Sequence, residues 1–197
     1  AYQSENVLTN NGEKTWTKET GMLSVWMLSM LTPSPGVTIF IPYRDIPEKQ
    51  DEKILNDDYF GKVPSDRLVV RNGIIYFKAD GKYRSKIGIP PQRAMNFSGS
   101  YDAKNRTLTV LWCELPEGIK DYVNSKWEIQ KDPFSGDAIN AYNDGPVEDG
   151  TQMGPFYELE SSSPAANQTP GETLKHTHRN IHLEGSEEQL GVIVEKL

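Results

Sequence analysis

The chain has 197 residues, 36% of them hydrophobic and 10% aromatic, with a formal net charge of −7. That length suits one domain, residues 1–197, with a substantial core, and no apolar run approaches the roughly 20 residues that span a bilayer. The acidic balance leaves no basic stripe for a phosphate backbone, which excludes nucleic acid as a partner and leaves neutral ligands open.

No leader peptide is recognisable from Ala1, and Tyr2 to Leu8 already reads as structured sequence. Asn10-Asn11-Gly12 is a turn signal, and Trp16 between Thr15 and Thr17 begins a second short extended piece. Gly21 to Leu31 is apolar almost throughout and reads as a buried strand, with Met22, Met27 and Met30 as core fillers. Val37 to Ile41 is β-branched and ends at Pro42, a strand closed by a turn. Asp45 to Asp58 is charged and predicts an exposed loop pinned by Tyr59-Phe60, or a lid over a cleft.

Arg67 to Ile89 predicts a three-stranded meander, because Asn72-Gly73 and Asp80-Gly81 supply the positive φ of two-residue hairpin turns. Its basic residues Lys78, Lys82, Arg84 and Lys86 alternate with apolar ones and read as a solvated face. Thr107 to Leu115 alternates Leu108, Val110 and Trp112 against Thr109, Leu111 and Cys113, so both faces are buried and the strand belongs mid-sheet. Cys113 is the single cysteine, which excludes an internal disulfide; with no base beside it, it reads as a small buried hydrophobe. Val123, Ser125, Trp127 and Ile129 repeat the alternation between Asp121 and Lys131. In the polar segment Ala138 to Pro146, Asn140, Tyr142 and Asp144 are candidate hydroxyl contacts, although Asn143 and Asp144 equally serve a tight turn.

Phe156-Tyr157-Glu158-Leu159-Glu160 is a strand whose two acids, two residues apart, share a face. After Ser161-Ser162-Ser163-Pro164 and a Pro170-Gly171 turn, a strand from Glu172 to Leu183 carries all three histidines, His176, His178 and His182, at one parity. From spacing alone the acids suit either solvent or a site. The imidazoles suit structure, sugar contact or a metal, and His-x-His by itself is a weak metal signal. Ser186 with Gln189 forms a capping box, and Leu190, Ile193, Val194 and Leu197 make one apolar face of a C-terminal helix.

Leu159-Glu160, Pro164, Pro170-Gly171-Glu172 and His176, in that order, resemble the C-terminal end of the galactose-mutarotase-like superfamily, the aldose 1-epimerases and their bacterial relatives. Trp16-Thr17-Lys18-Glu19-Thr20-Gly21 leading into an apolar strand adds to the likeness. The likeness covers about thirty residues well; the interval from Glu160 to Pro164 is shorter than in that pattern, and Glu158 competes for the base's place. The resemblance implies an all-β, galactose-mutarotase-like antiparallel β-sandwich (supersandwich) with a short C-terminal helix. Such proteins are longer, so it implies either an abbreviated sandwich or the C-terminal part of a larger one. It further implies an aldose 1-epimerase with Glu160 as base and His176 as acid, with Glu158, Asn140, Tyr142, Asp144 and His178 as sugar contacts. No cofactor and no metal are implied, and the partner is a small sugar or glycan. The alternative is a non-catalytic carbohydrate-binding or accessory module on the same fold.

Overall fold

The computed structural model describes residues 1–47 and 53–196. Its strands, numbered in chain order, form two antiparallel sheets. The larger has the order β1 (Tyr2–Thr9), β11 (Thr173–Glu184), β8 (Thr107–Cys113), β7 (Phe97–Asp102), β3 (Val37–Pro42), β5 (Ile74–Lys78), β4 (Leu68–Arg71). The smaller has the order β2 (Trp26–Leu31), β10 (Tyr157–Ser162), β9 (Ile139–Asn143), β6 (Ser85–Ile89). Val37, Ile39, Ile75, Phe77 and Leu111 of the larger sheet pack on Ile87, Ile139, Ala141 and Leu159 of the smaller, so the two are layered face to face. Cys113 is buried in that layer with a free thiol.

β8 lies between β7 and β11, and its two faces feed two separate cores, as its alternation predicts. Leu108 and Val110 face outward with Phe40 and are covered by α1 (Glu187–Val194) through Leu190 and Ile193. The Ser186 side chain accepts from the Gln189 backbone N–H while Gln189 reaches back to Ser186, the reciprocal cap expected there.

The meander is corrected. Asn72 and Gly73 take φ of 51° and 76° and close the β4–β5 hairpin, but β6 pairs with β9 in the other sheet. Asp80-Gly81 is the crossover between the layers. Asp80 is held by Arg67, and the Gly81 N–H donates to Asn143 Oδ1 at 2.8 Å, so the chain is bent away from β5 instead of back along it. The predicted solvated face fails with it at Lys86, which the crossover buries to 6% exposure.

Two further predicted extended pieces are not strands. Trp16 lies in an irregular segment, and Asp121 to Lys131 finds no ladder, making one isolated bridge through Tyr122 to Ser135. Alternation without a partner strand leaves Trp127 and Ile129 in solvent. Met22 is buried as expected, but Met30 is 60% exposed on the outer face of β2. Of the predicted loop Asp45 to Asp58, residues 48–52 lie outside the described residues. Asn56 is bridged to Gly88 by two backbone hydrogen bonds of 2.8 Å, which anchors the loop's far half on β6.

Candidate functional site

β10 is the middle of the site because it is buried on both faces, and its two faces differ in chemistry. Tyr157, Leu159 and Ser161 face the larger sheet; Glu158 and Glu160 face outward. Register places Glu158 between Tyr142 and Met30, and Glu160 between Asn140 and Leu28. On the next strand, Lys86 is opposite Tyr142 and Gly88 opposite Asn140. The outer face of four strands is thus a grid with carboxyls at its centre.

Glu160 has no solvent exposure. Its Oε2 accepts from Lys86 Nζ at 2.8 Å and from Trp26 Nε1 at 2.7 Å. Lys86 also lies over the rings of Trp26, at 4.7 Å, and Tyr59, at 5.3 Å, so its charge is compensated on three sides. Glu160 Oε1 is buried and has no donor among the described residues. Glu158, buried at 8% exposure, is the less enclosed member of the pair. Burial, and then the neighbouring Glu160 carboxylate, push its carboxyl up to about 7, against the opposing pull of Lys86. A protonated Glu158 is the neighbour able to give the Glu160 carboxylate a hydrogen bond.

A roof lies over one side of this floor. Asp137 is buried and accepts from Tyr59 Oη at 2.6 Å and from Asn56 Nδ2 at 2.8 and 2.9 Å. Burial raises its carboxyl above the usual range despite those donors. Gly88 makes the arrangement feasible, since a Cβ there would stand 2.0 Å from Asp137 Oδ2 and 2.6 Å from Asn140 Nδ2. Asn140 donates from Nδ2 to Tyr59 Oη at 3.0 Å and to the Ile87 carbonyl at 3.2 Å.

The structure brings Glu158, Glu160, Asn140, Tyr142 and Asp144 to one side of the small sheet. Tyr142 Oη donates to Asp144 Oδ1 at 2.7 Å, and the Gly154 N–H donates to Asp144 Oδ2 at 3.0 Å. Tyr142 also packs between Phe60 and Phe156, and burial pushes its hydroxyl up to about 12. Asn140 Nδ2, the Tyr142 hydroxyl and both Asp144 carboxylate oxygens are therefore engaged inside the protein. Asn143 does the turn chemistry, accepting from the Gly81 N–H and donating to the Tyr83 carbonyl, both at 2.8 Å.

The expected hollow shared by acid and imidazole is not formed. His176 and His178 lie behind β10, between the sheets, where Ser161 Oγ is 2.8 Å from His176 Nε2 and from His178 Nδ1, and Ser29 Oγ is 2.7 Å from His178 Nε2. Glu160 and His176 are on opposite faces of the sheet because Glu160 and Ser161 are adjacent in a strand. Burial lowers both imidazoles to about 4, so they are neutral. His182 is exposed at the end of the layer, 3.0 Å from Thr109 Oγ1 and stacked on Tyr2. Among the described residues, no group of three or more His, Cys, Asp and Glu is arranged to hold a metal ion.

Trp26, Tyr59, Lys86, Gly88 and Asp137 were not among the predicted site residues. The period-2 alternation of Lys86 with Arg84 and Gly88 was visible in sequence, but which sheet it faced was not. A broad concavity of about 860 Å³ lies elsewhere, between the Thr17–Met22 and Pro164–Gln168 segments; its Lys18 is already paired with Asp121 at 2.7 Å.

One family model matches residues 1–197 from end to end, that of a family of unknown function, DUF6786. The chain belongs to that family. Comparison with curated proteins and with solved structures finds no match. Among the described residues, no helix is long and apolar enough to cross a membrane.

Proposed function

We propose that the chain is a carbohydrate-active, mutarotase-like protein whose reacting group is the Glu158–Glu160 pair on the outer face of the small sheet. The observation that carries it is Glu158: a largely buried carboxyl on the outward side of the sheet, pushed up to about 7, beside a Glu160 fixed by Lys86 and Trp26. A general acid–base group is most effective with a pKa close to the working pH. Around it, Leu28 and Met30 are 40% and 60% exposed, which gives a floor half apolar and half acidic. A pyranose, with C–H faces and a hydroxyl rim, has the same division.

In anomerisation the protonated member of the pair gives its proton to the ring oxygen as the C1–O5 bond opens. The anomeric hydroxyl yields its proton to the other oxygen of the same Glu158 carboxyl as the carbonyl forms, because Glu160 is fully buried and out of a sugar's reach. Closure on the other face of the aldehyde returns both protons, so the pair ends as it began. Glu158 touches the sugar; Glu160 stands buried beside it, paired with Lys86 and oriented by Trp26. The acid role expected for His176 passes to Glu158.

A second reading, a carbohydrate-binding module without turnover, is favoured by the complete burial of Glu160 and its two donors, which suit a group that holds better than one that reacts. Polarimetry of freshly dissolved α-galactose and α-glucose decides between them. Wild type is expected to accelerate anomerisation and Glu158→Gln to lose at least 100-fold of it. Acceleration equal in the two proteins removes Glu158 from the chemistry, and sugar binding without acceleration leaves the module.

A further inference from the structure

The segment 124–130 is an irregular loop that carries two large apolar side chains away from the protein: Trp127 is 79% exposed and Ile129 fully exposed. Its shape does not depend on them. Asn124 Oδ1 accepts from the Lys126 N–H at 3.1 Å, and Gln130 Nε2 donates to the carbonyls of Asn124 and Lys126 at 3.0 and 2.8 Å. The loop is thus closed on itself with its indole held outward, and little conformational freedom is left to lose on binding.

Its other side is seated on the roof of the carboxyl site. Lys126 Nζ pairs with Asp58 Oδ1 at 3.1 Å and lies 5.7 Å from the Tyr59 ring centre. The Tyr59 hydroxyl binds Asp137 and Asn140, and Asn140 is the cross-strand partner of Glu160. Trp127 is therefore the residue after one that rests directly on the site's covering tyrosine.

Resting on the carbohydrate reading above, we propose that Trp127, with Ile129 beside it, is a subsite for a second sugar ring, so that the ligand is an oligosaccharide or glycan end and not a free monosaccharide. An indole presents a flat, electron-rich face, and the axial C–H face of a pyranose is apolar and weakly positive, the combination that favours stacking. Where the linkage spans from Glu158 to the indole, a ring joined to one held at Glu158 stacks there without a separate entropic cost of association. The same chemistry accounts for a large aromatic left in water on a loop seated against Tyr59 when nothing in the loop's own packing needs it.

The test is calorimetric binding of galactose, galactotriose and maltotriose to wild type and Trp127→Ala, with anomerisation of galactose read by polarimetry in the same proteins and in Glu158→Gln. At least one trisaccharide is expected to bind wild type roughly tenfold more tightly than galactose, about the upper worth of one aromatic contact, and Trp127→Ala to lose that gain while leaving the galactose rate unchanged. The exposed position makes Trp127→Ala a folded protein, checked by its unfolding midpoint. Trisaccharides that bind wild type no better than galactose overturn the subsite, as does an undiminished gain in Trp127→Ala, even where anomerisation depends on Glu158. A gain lost in Trp127→Ala in a protein without anomerase activity supports the subsite and sinks the enzymatic reading instead. A sedimentation coefficient that falls in Trp127→Ala with trisaccharide binding intact assigns the patch to a second copy of the chain and overturns the proposal.

Discussion

On the inner face of the small sheet, Ser161 meets two imidazoles and Ser29 a third ring nitrogen; on the outer face, one residue back along β10, Glu160 meets Lys86 and Trp26. Both clusters are buried, and burial drives both toward neutrality. The inner one yields to it. Its histidines lose their charge, and hydroxyls that both donate and accept satisfy neutral rings on either side. The outer one resists, because a cation and an indole N–H stand opposite Glu160, and the residual conflict falls on Glu158. Matched neutral groups lock two layers together, whereas a surplus carboxyl beside a paired one leaves a proton in balance. The second arrangement costs stability, and groups perturbed in that way are the ones that gather at functional sites.

The comparison is broken most severely at Lys86. Lys86→Met leaves the Glu160 carboxylate buried without its cation, and a loss of about 3–5 kcal/mol is expected in urea unfolding at pH 7. Adding Glu160→Gln removes the uncompensated charge and is expected to restore part of that loss. A single variant as stable as wild type would mean that Glu160 is not held as an anion.

Acidification tests the inner cluster. The folded-state pKa values of His176 and His178, about 4, lie below the ordinary value, so their contribution is present above about 6.5 and is lost as pH falls toward 4. The loss is on the order of 3 kcal/mol for each histidine that must charge. Glu158 works oppositely between 4.5 and 7, so the measurement belongs in a Glu158→Gln background, as urea midpoints at pH 7, 5.5 and 4. Stability that holds flat over that range would contradict neutral, closed-in imidazoles. Ser161→Ala probes the same cluster at fixed pH. It deprives two ring nitrogens of their partner and is expected to cost about 2–3 kcal/mol, with any anomerisation of the wild type unchanged.

How much of this was legible in sequence follows from how local each signal is. The β4–β5 turn, the strands β3, β8, β10 and β11, and the Ser186 cap rest on residues within a few positions of each other, and each is where the sequence puts it. The parity of Glu158 and Glu160 was likewise readable, since it needs only a period of two. What lay beyond reach was which layer each face opposes. Asp80-Gly81 has hairpin chemistry, yet Arg67 and Asn143, 13 and 62 residues from their partners, turn it into a crossover and carry Lys86 to Glu160. The histidines share a parity, as read, but an even position on β11 faces the inner layer, while an even position on β10 faces out. One such sign is invisible without the sheet order, and it separated the expected acid from the expected base.

Glu158→Gln brings the smallest change in stability and the sharpest contrast with Ser161→Ala. An amide has the shape of the protonated carboxyl and supplies the same N–H or O–H donor toward Glu160, so less than about 1 kcal/mol is expected at pH 6. The sign of its pH dependence is fixed by the raised pKa. In wild type the folded state binds the Glu158 proton more tightly than the unfolded chain, so that contribution is complete below about 4.5 and disappears as pH rises through about 7. Glu158→Gln should abolish this decline and become the more stable protein at pH 8. Unfolding midpoints of the two proteins at pH 5, 6.5 and 8 check it, and parallel curves would show that Glu158 is an ordinary carboxylate. Loss of anomerisation without loss of stability at Glu158, set against loss of stability without loss of anomerisation at Ser161, would separate the two faces of one strand by function.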